Sequence, residues 1–177
     1  MKNLTISSEK LTLRELTLKD VSEKYVRWLN DKTINKYLES RFFQHSLKST
    51  EDFVNAAIND NSTYLFGIFT NGMKHIGNIK LDSIDDFHKD AVIGLMIGDK
   101  SSWGMGLGAE SIKVLSEFGF NSLKLKKIRA ECYESNLGSK KAFINAGYEI
   151  EGFVNSNVEI DGLREGVWCL GMTSLNK

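Results

Sequence analysis

Hydrophobic and polar positions in the first third of the chain change from a strand pattern to two helix patterns without a linker. Apolar residues alternate over residues 11–16, which predicts a strand. They recur at helical spacing over residues 21–29, and Thr17 and Asp20 stand before them in the spacing of a capping box. Residues 49–60 combine a Ser-x-x-Asp start with helical periodicity. The pattern therefore predicts a strand followed by two helices.

The remaining two thirds contain two strong hairpin signals. Residues 63–81 predict two strands joined by a two-residue turn at Asn71-Gly72, and residues 147–172 predict a second pair that turns at Asp161-Gly162. Between the hairpins the pattern predicts a strand at 91–97, a helix at 109–120, a strand at 126–133 and a helix at 137–146. The element order predicts one mixed α/β domain over residues 1–177, with a single sheet of about seven strands and about four helices.

Composition and charge exclude several classes of protein. The 177 residues are 41% hydrophobic, and 23 basic side chains balance 23 acidic ones. A net charge of zero provides no long-range attraction to nucleic acid or to an anionic membrane. No apolar stretch has the length of a membrane span or a signal peptide, so we expect a cytoplasmic protein that binds neither nucleic acid nor a membrane. We expect it to be a monomer or a homodimer. The cysteines and histidines share no ligand spacing, so we expect no metal site.

A cluster of glycines separates the strand at residues 91–97 from the helix that follows it. Gly98 lies upstream, and Gly104, Gly106 and Gly108 lie just before the helix. Backbone N–H groups and the helix dipole at such a place favour an anion, with phosphate as the natural ligand. The loop lacks the Lys-Ser/Thr pair of a Walker loop, and its spacing differs from a dinucleotide fingerprint. A phosphate-binding loop of another kind is the hypothesis, and a glycine-rich turn without a ligand is the alternative.

Two sequence blocks resemble one known family. The stretch WGMGLGAE at residues 103–110 resembles the coenzyme A pyrophosphate loop of GNAT acetyltransferases in their RimJ/RimL-like branch, with Trp103 where glutamine or arginine is usual. Asn136 and Ser139, followed by Gly147-Tyr148, resemble a second block of the same branch. The resemblance extends over almost the whole chain.

The resemblance implies a GNAT fold with acetyl-CoA as co-substrate. The sheet would be mostly antiparallel and splayed between its fourth and fifth strands, between residues 93–97 and 128–133, and the pantetheine arm would lie in the resulting V. Backbone amides of the glycine loop would bind the pyrophosphate. The implied cofactor contacts are Leu95, Met96, Ile97, Trp103, Gly104, Met105, Gly106, Leu107, Gly108, Ala109, Asn136, Ser139 and Lys140.

Direct attack of an amine on a thioester requires a neutral amine, a polarised carbonyl and a protonated leaving thiolate. A strand amide near residues 95–97 would polarise the carbonyl. Strand alternation puts Arg129, Glu131 and Tyr133 on one face. Glu131 lies where relatives with a similar block carry their base, and we expect it to be the base here; the alternative is a surface carboxylate, or one ion-paired with Arg129 or a lysine.

The proton donor for the thiolate departs from the family pattern. Phe143 stands where many GNAT enzymes have a tyrosine, and a phenyl ring has no proton to give. Ser139, positioned as in RimL-like relatives, is the expected donor, and a helix residue that bonds its own backbone is the alternative. Tyr133 and Tyr148 are further candidates. The missing tyrosine also leaves open a non-catalytic sensor or regulatory module that binds acyl-CoA.

The acceptor is expected to be a weakly basic primary amine. At pH 7 roughly 10% of an α-amine is neutral, against about 0.04% of a lysine-like amine. This difference favours a protein N-terminus, or a small molecule such as a nucleotide-linked amino sugar, over a polyamine. Trp28, Tyr37 and Phe42 offer stacking faces and Arg41 offers a fork for phosphate or carboxylate, so we expect these four to bind the acceptor. Ordinary core packing is the alternative for the aromatic residues.

Overall fold

Eight strands form one continuous sheet in the computed structural model, which describes residues 4–174. The strands are β1 (Thr5–Ser7), β2 (Leu11–Glu15), β3 (Tyr64–Thr70), β4 (His75–Asp85), β5 (Asp90–Ile97), β6 (Lys127–Tyr133), β7 (Glu149–Ile160) and β8 (Leu163–Thr173). Their order in the sheet is β1-β2-β3-β4-β5-β6-β8-β7, and only the β5–β6 pair is parallel. The predicted mixed α/β fold with one mostly antiparallel sheet is confirmed.

The first strand is the one that the hydrophobic pattern missed. β1 is only three residues long, so alternation has no length over which to stand out. It pairs with β2 and sets Ile6 opposite Leu13. The sheet therefore has eight strands and not about seven.

Four α-helices pack on the two faces of the sheet. They are α1 (Glu23–Asn30), α2 (Leu47–Asn59), α3 (Leu107–Asn121) and α4 (Leu137–Asn145). Short 3-10 turns occur at Leu18–Asp20, Glu39–Phe42 and Lys100–Ser102. Within residues 4–174, no helix combines the length and the hydrophobicity needed to cross a membrane.

The predicted starts of the first two helices were wrong by a few residues, because a nearer serine provides the cap. Thr17 and Asp20 do form a capping box, but it caps the 3-10 turn Leu18–Asp20. The cap of α1 is Ser22. The cap of α2 is Ser46, which exchanges hydrogen bonds with Ser49 in a box of its own, so Ser49 lies inside the helix and not at its boundary.

One of the two predicted turns is confirmed. Asp161 and Gly162 have φ values of 52° and 80°, the left-handed pair that a two-residue hairpin requires. The turn at Asn71-Gly72 is longer than predicted, because the left-handed residue is Met73, with φ 58°. The loop is formed by residues 71–73, and just outside it the Thr70 N–H donates to the Lys74 carbonyl at 3.0 Å.

Side chains of β3 alternate between the two largest hydrophobic clusters, a larger one and a smaller one, on opposite faces of the sheet. Phe66 and Ile68 of β3 lie in the larger cluster, together with residues of α3 and α4. Leu65 of the same strand lies in the smaller cluster with Tyr25 and Trp28 of α1. The sheet is thus covered by α3 and α4 on one face and by α1 and α2 on the other.

The predicted splay of the sheet is confirmed at its centre. β5 and β6 pair at only three positions, Asp90, Ala91 and Val92 opposite Lys127, Ile128 and Arg129. Beyond these positions the two strands separate, although both continue for several residues. The backbone of residues 93–97 therefore has no strand partner on its β6 side, and a V-shaped opening lies between the two layers of helices.

Candidate functional site

A cavity of about 890 Å³ occupies the opening between β5 and β6. One part of its wall is formed by the start of α3 and by α4, and the other by α1, the turn Glu39–Phe42 and strand β4. The cavity thus crosses the sheet from one helical layer to the other. Two reactants can therefore enter from opposite faces and meet at the splayed strands.

The glycine loop forms the start of α3 at the edge of this cavity. Gly104 and Gly106 have φ values of 75° and 76°, a left-handed conformation that favours glycine. Gly106 is the N-cap and has no side chain to cap the helix. The first-turn N–H groups of Leu107, Gly108 and Ala109 have no acceptor within the helix. Since these three residues line the cavity, the loop presents to it N–H donors that the helix does not use, together with a positive dipole end.

The other residues of the loop have separate positions. The indole N–H of Trp103 donates to the Ile97 carbonyl at 2.8 Å and the residue lines the cavity. Met105 is exposed and lies outside the cavity lining. A Cβ at Gly98 would meet the Trp28 ring at 2.0 Å, so Gly98 serves the packing of α1 and not an anion.

The side chains of β6 alternate between the two faces of the sheet. Ile128, Ala130 and Cys132 belong to the larger core cluster, while Tyr133 contacts Tyr37 on the opposite face. Glu131 shares the face of Tyr133, is exposed and lines the cavity. Arg129, the neighbour considered as its ion-pair partner, bonds to Asp90 at 3.3 Å instead. No ion pair of Glu131 occurs in the described part of the chain.

The first turn of α4 contributes two polar residues. Asn136 caps the helix, and its Oδ1 accepts a hydrogen bond from the Ser139 N–H at 3.2 Å. Both residues line the cavity. Phe143, one turn after Ser139 on the same helix face, also lines the cavity but is buried, and it packs edge-on against Tyr148. The Tyr148 hydroxyl bonds to Ser116 at 2.8 Å, and burial raises the pKa of Tyr148 far above its ordinary value.

The two lysines of α4 differ in position. Lys140 sets its Nζ 3.3 Å from the centre of the Trp168 ring and does not line the cavity. Lys141 does line it, on the helix face of Gly138, Ala142 and Asn145. Sequence reasoning selected Lys140, although the spacing of 138, 141, 142 and 145 is the signal that identifies the facing residues.

Of the four residues predicted to bind the acceptor, one lines the α1 side of the cavity. Tyr37 lines the cavity. Trp28 is 6% exposed and belongs to the smaller core cluster, and Phe42 lies outside the lining. Arg41 donates to Tyr133, Leu38 and Glu159 at 3.0, 2.9 and 3.1 Å, so its guanidinium links the Glu39–Phe42 turn to β6 and β7.

Three further residues of the same cavity wall were not predicted from the sequence. The Glu39 carboxylate accepts a hydrogen bond from the Tyr133 hydroxyl and lines the cavity. Tyr25 and Asn78 line it as well, although both are nearly buried. These three residues come from separate segments of the chain, and no local spacing links them.

Comparisons with known proteins agree with this geometry. Residues 10–149 match the family model described as an acetyltransferase (GNAT) domain. Over 104 residues the chain is 36% identical to the probable N-acetyltransferase YjcK of Bacillus subtilis (strain 168), a match that covers 58% of this chain and 57% of that protein.

Two solved structures are similar over nearly their whole length. One is the spermidine N-acetyltransferase from Vibrio cholerae in complex with CoA and spermine, with a TM-score of 0.86 and 23% identity over 95% of this chain and 98% of that one. The other is RimL, a ribosomal-protein α-N-acetyltransferase in complex with coenzyme A, with a TM-score of 0.86 and 19% identity over 96% of this chain and 98% of that one. The family match, which extends over most of the chain, decides against a non-catalytic module: the chain belongs to the GNAT family of N-acetyltransferases.

Proposed function

We propose that this enzyme transfers the acetyl group of acetyl-CoA to a primary amine by direct attack on the thioester. The observation that carries the proposal is the joint position of two features: the splayed edge of β5 and the uncapped start of α3 border the same cavity. An extended pantetheine arm needs the first, and a pyrophosphate needs the second.

The cofactor would bind on the α3–α4 side. The pyrophosphate would accept hydrogen bonds from the N–H groups of residues 107–109, and the pantetheine would pair with the backbone of residues 93–97, which lacks a partner on its β6 side. Lys141 supports phosphate binding better than Lys140, because Lys140 lies on the Trp168 ring. The amide N–H₂ group of Asn136 would donate to the cofactor, since its oxygen is used by the helix cap.

The reaction forms a C–N bond and breaks the C–S bond, and two protons move. Glu131, which faces the cavity without an ion-pair partner among residues 4–174, would accept the proton of the amine. Ser139 would donate its hydroxyl proton to the leaving thiolate and regain one from solvent, to which Glu131 returns the proton of the amine, so that no net proton leaves the enzyme. Its hydroxyl makes no hydrogen bond to the described residues, whereas the Tyr148 hydroxyl is bound to Ser116. A backbone N–H of β5 would polarise the thioester carbonyl.

The acceptor we propose is a small-molecule amine, such as an amino sugar, or a peptide α-amine. Glu39 and Glu131 both line the cavity and attract an ammonium group as it enters. The Arg41 guanidinium is held by Tyr133 and two carbonyls, so a phosphate of a nucleotide-linked sugar would need a different partner. Because a similar structure, that from Vibrio cholerae, is named as a spermidine N-acetyltransferase, spermidine must be among the amines that are tested.

The test is release of the coenzyme A thiol from acetyl-CoA, measured with peptides, free and nucleotide-linked amino sugars, aminoglycosides and spermidine. At least one class of amine should accelerate thiol release, and mass spectrometry should find one acetyl group added per thiol released. If acetyl-CoA binds and no amine accelerates its cleavage above the rate in buffer, the proposal is wrong.

A further inference from the structure

A buried amide without a hydrogen-bond partner lies in the acceptor-side wall of the cavity. Asn78 of β4 is 6% exposed, and its Nδ2 has no hydrogen-bond partner within residues 4–174. An unpaired buried N–H group is unfavourable, and folded proteins seldom keep one unless something else satisfies it. Because Asn78 lines the cavity, a ligand of the cavity is the natural partner.

His75 fixes the direction in which the amide points. The Nε2 atom of His75 lies 2.9 Å from Oδ1 of Asn78 and 3.0 Å from the Gly77 carbonyl oxygen. A carbonyl oxygen can only accept, so Nε2 must carry the hydrogen. Rotating the amide by 180° would set its N–H₂ group against that N–H. The Asn78 nitrogen therefore points away from His75.

Tyr25 contacts the same histidine as Asn78 and lines the same cavity. Its ring packs against Trp28 and His75 with centroid distances of 6.2 Å in both cases, which fixes its position in the cavity wall. Burial raises the pKa of Tyr25 to about 12, and the neighbouring Asn78 amide opposes the rise. The phenol therefore stays protonated at neutral pH and, like the amide, is an uncharged donor.

Asn78 and Tyr25 lie close to the splayed strands, where the reaction is proposed to take place. Asn78 is directly opposite Met96 in the β4–β5 ladder, and β5 is the strand whose free edge borders the V. Met96 and Tyr25 belong to the same core cluster, on the face of α1. The two donors are thus one strand away from the splayed edge and on the side from which the acceptor would enter.

We propose that Asn78 and Tyr25 form a subsite for an uncharged oxygen, a hydroxyl or a carbonyl, on the carbon skeleton next to the amine that is acetylated. The inference rests on the proposed function and narrows its substrate class. Two neutral donors satisfy such an oxygen, but they gain nothing from a methylene group. Amino sugars and peptide α-amines carry that oxygen, whereas spermidine does not.

The experiment compares matched amines with and without the oxygen. Glucosamine is paired with cyclohexylamine, and glycinamide with n-propylamine, and kcat/KM is measured for the parent, Asn78→Leu and Tyr25→Phe. The ratio of parent to variant for one amine cancels differences in amine pKa. For at least one oxygen-bearing amine this ratio should exceed that of its partner about tenfold, the usual effect of one lost hydrogen bond. A selective loss with glucosamine identifies a hydroxyl, and one with glycinamide a carbonyl.

Two results would overturn the subsite. If each variant lowers kcat/KM by the same factor for all four amines, Asn78 and Tyr25 support the structure only. If the parent acetylates neither glucosamine nor glycinamide, the subsite is wrong, whereas the proposed function is decided separately by thiol release with the wider panel of amines. Melting temperature and coenzyme A affinity are the controls for folding. Should Asn78→Leu not fold, Tyr25→Phe decides, because it retains the ring contacts with Trp28 and His75.

Discussion

Asn136 combines a structural and a binding role that two substitutions can separate. Its Oδ1 caps α4 through the Ser139 N–H at 3.2 Å, and its N–H₂ group is the proposed donor to coenzyme A. Serine is as good a helix cap as asparagine, but it lacks the amide donor, whereas alanine lacks both functions. Asn136→Ser therefore removes the proposed cofactor contact alone, and Asn136→Ala removes the contact and the cap.

The expected magnitudes differ enough to be measured. Loss of the cap costs about 1 kcal/mol of unfolding free energy, which lowers Tm by about 2–4 °C in a chain of this size. Loss of one hydrogen bond to the cofactor costs about 1 kcal/mol of binding, so KM for acetyl-CoA rises about five- to tenfold. Asn136→Ser should keep the parental Tm and show the raised KM, and Asn136→Ala should show both changes.

Calorimetric melting without ligand and initial rates over a range of acetyl-CoA concentrations provide the two readouts. A parental KM in Asn136→Ser would refute the assigned contact between the amide and the cofactor. An Asn136→Ser variant that melts as low as Asn136→Ala would refute the capping argument instead.

Other substitutions test the loop, α4 and an ion pair. Gly106→Ala should lower the unfolding free energy in urea by about 1 kcal/mol, because φ is 76° there. At Gly108 an added Cβ would lie 3.6 Å from the nearest side-chain atom, that of Leu95. Gly108→Ala should therefore keep the stability, but it should weaken coenzyme A binding in calorimetry because the added methyl group lies in the cavity wall. Lys141→Met should weaken that binding about tenfold; an equal loss in Lys140→Met would contradict the assignment. Lys74 pairs with Asp99 at 2.6 Å and lowers the pKa of the Asp99 carboxyl. The ionised carboxylate therefore stabilises the fold above pH ~4, and this stabilisation is lost on acidification. Tm of Asp99→Asn should therefore fall less than that of the parent as pH drops from about 5 to 2.

The sequence was sufficient for the fold because most elements carry their own local signal. The helical spacing in α3 and α4, the alternation in β6 and the Asp161-Gly162 turn depend on neighbours in sequence. The errors have equally local causes. β1 is too short for a period, and the serines at the starts of α1 and α2 compete with other capping residues nearby.

The cofactor side of the cavity was easier to predict than the acceptor side. The loop and the start of α4 are contiguous stretches whose backbone is proposed to bind, so a short motif describes them. Acceptor-side residues come from α1, a 3-10 turn and β4, and only tertiary packing brings Tyr25, Glu39 and Asn78 to one wall. Arg41 lies outside the cavity lining because a guanidinium suited to a ligand is equally suited to Tyr133 and backbone carbonyls.

Amine-dependent release of the coenzyme A thiol by Glu131→Gln, measured at pH 7 and pH 9, tests the central claim most directly. Glu39→Gln is the comparison variant, because it removes a second carboxylate from the same cavity, one that already pairs with Arg41 at 3.6 Å. Glu131→Gln should lower kcat/KM about 100-fold at pH 7, the usual contribution of a general base, and less at pH 9, where the amine deprotonates without help. Glu39→Gln should change mainly KM for the amine. Parental kcat/KM in Glu131→Gln at pH 7, or an equal loss in the two variants, would contradict the account.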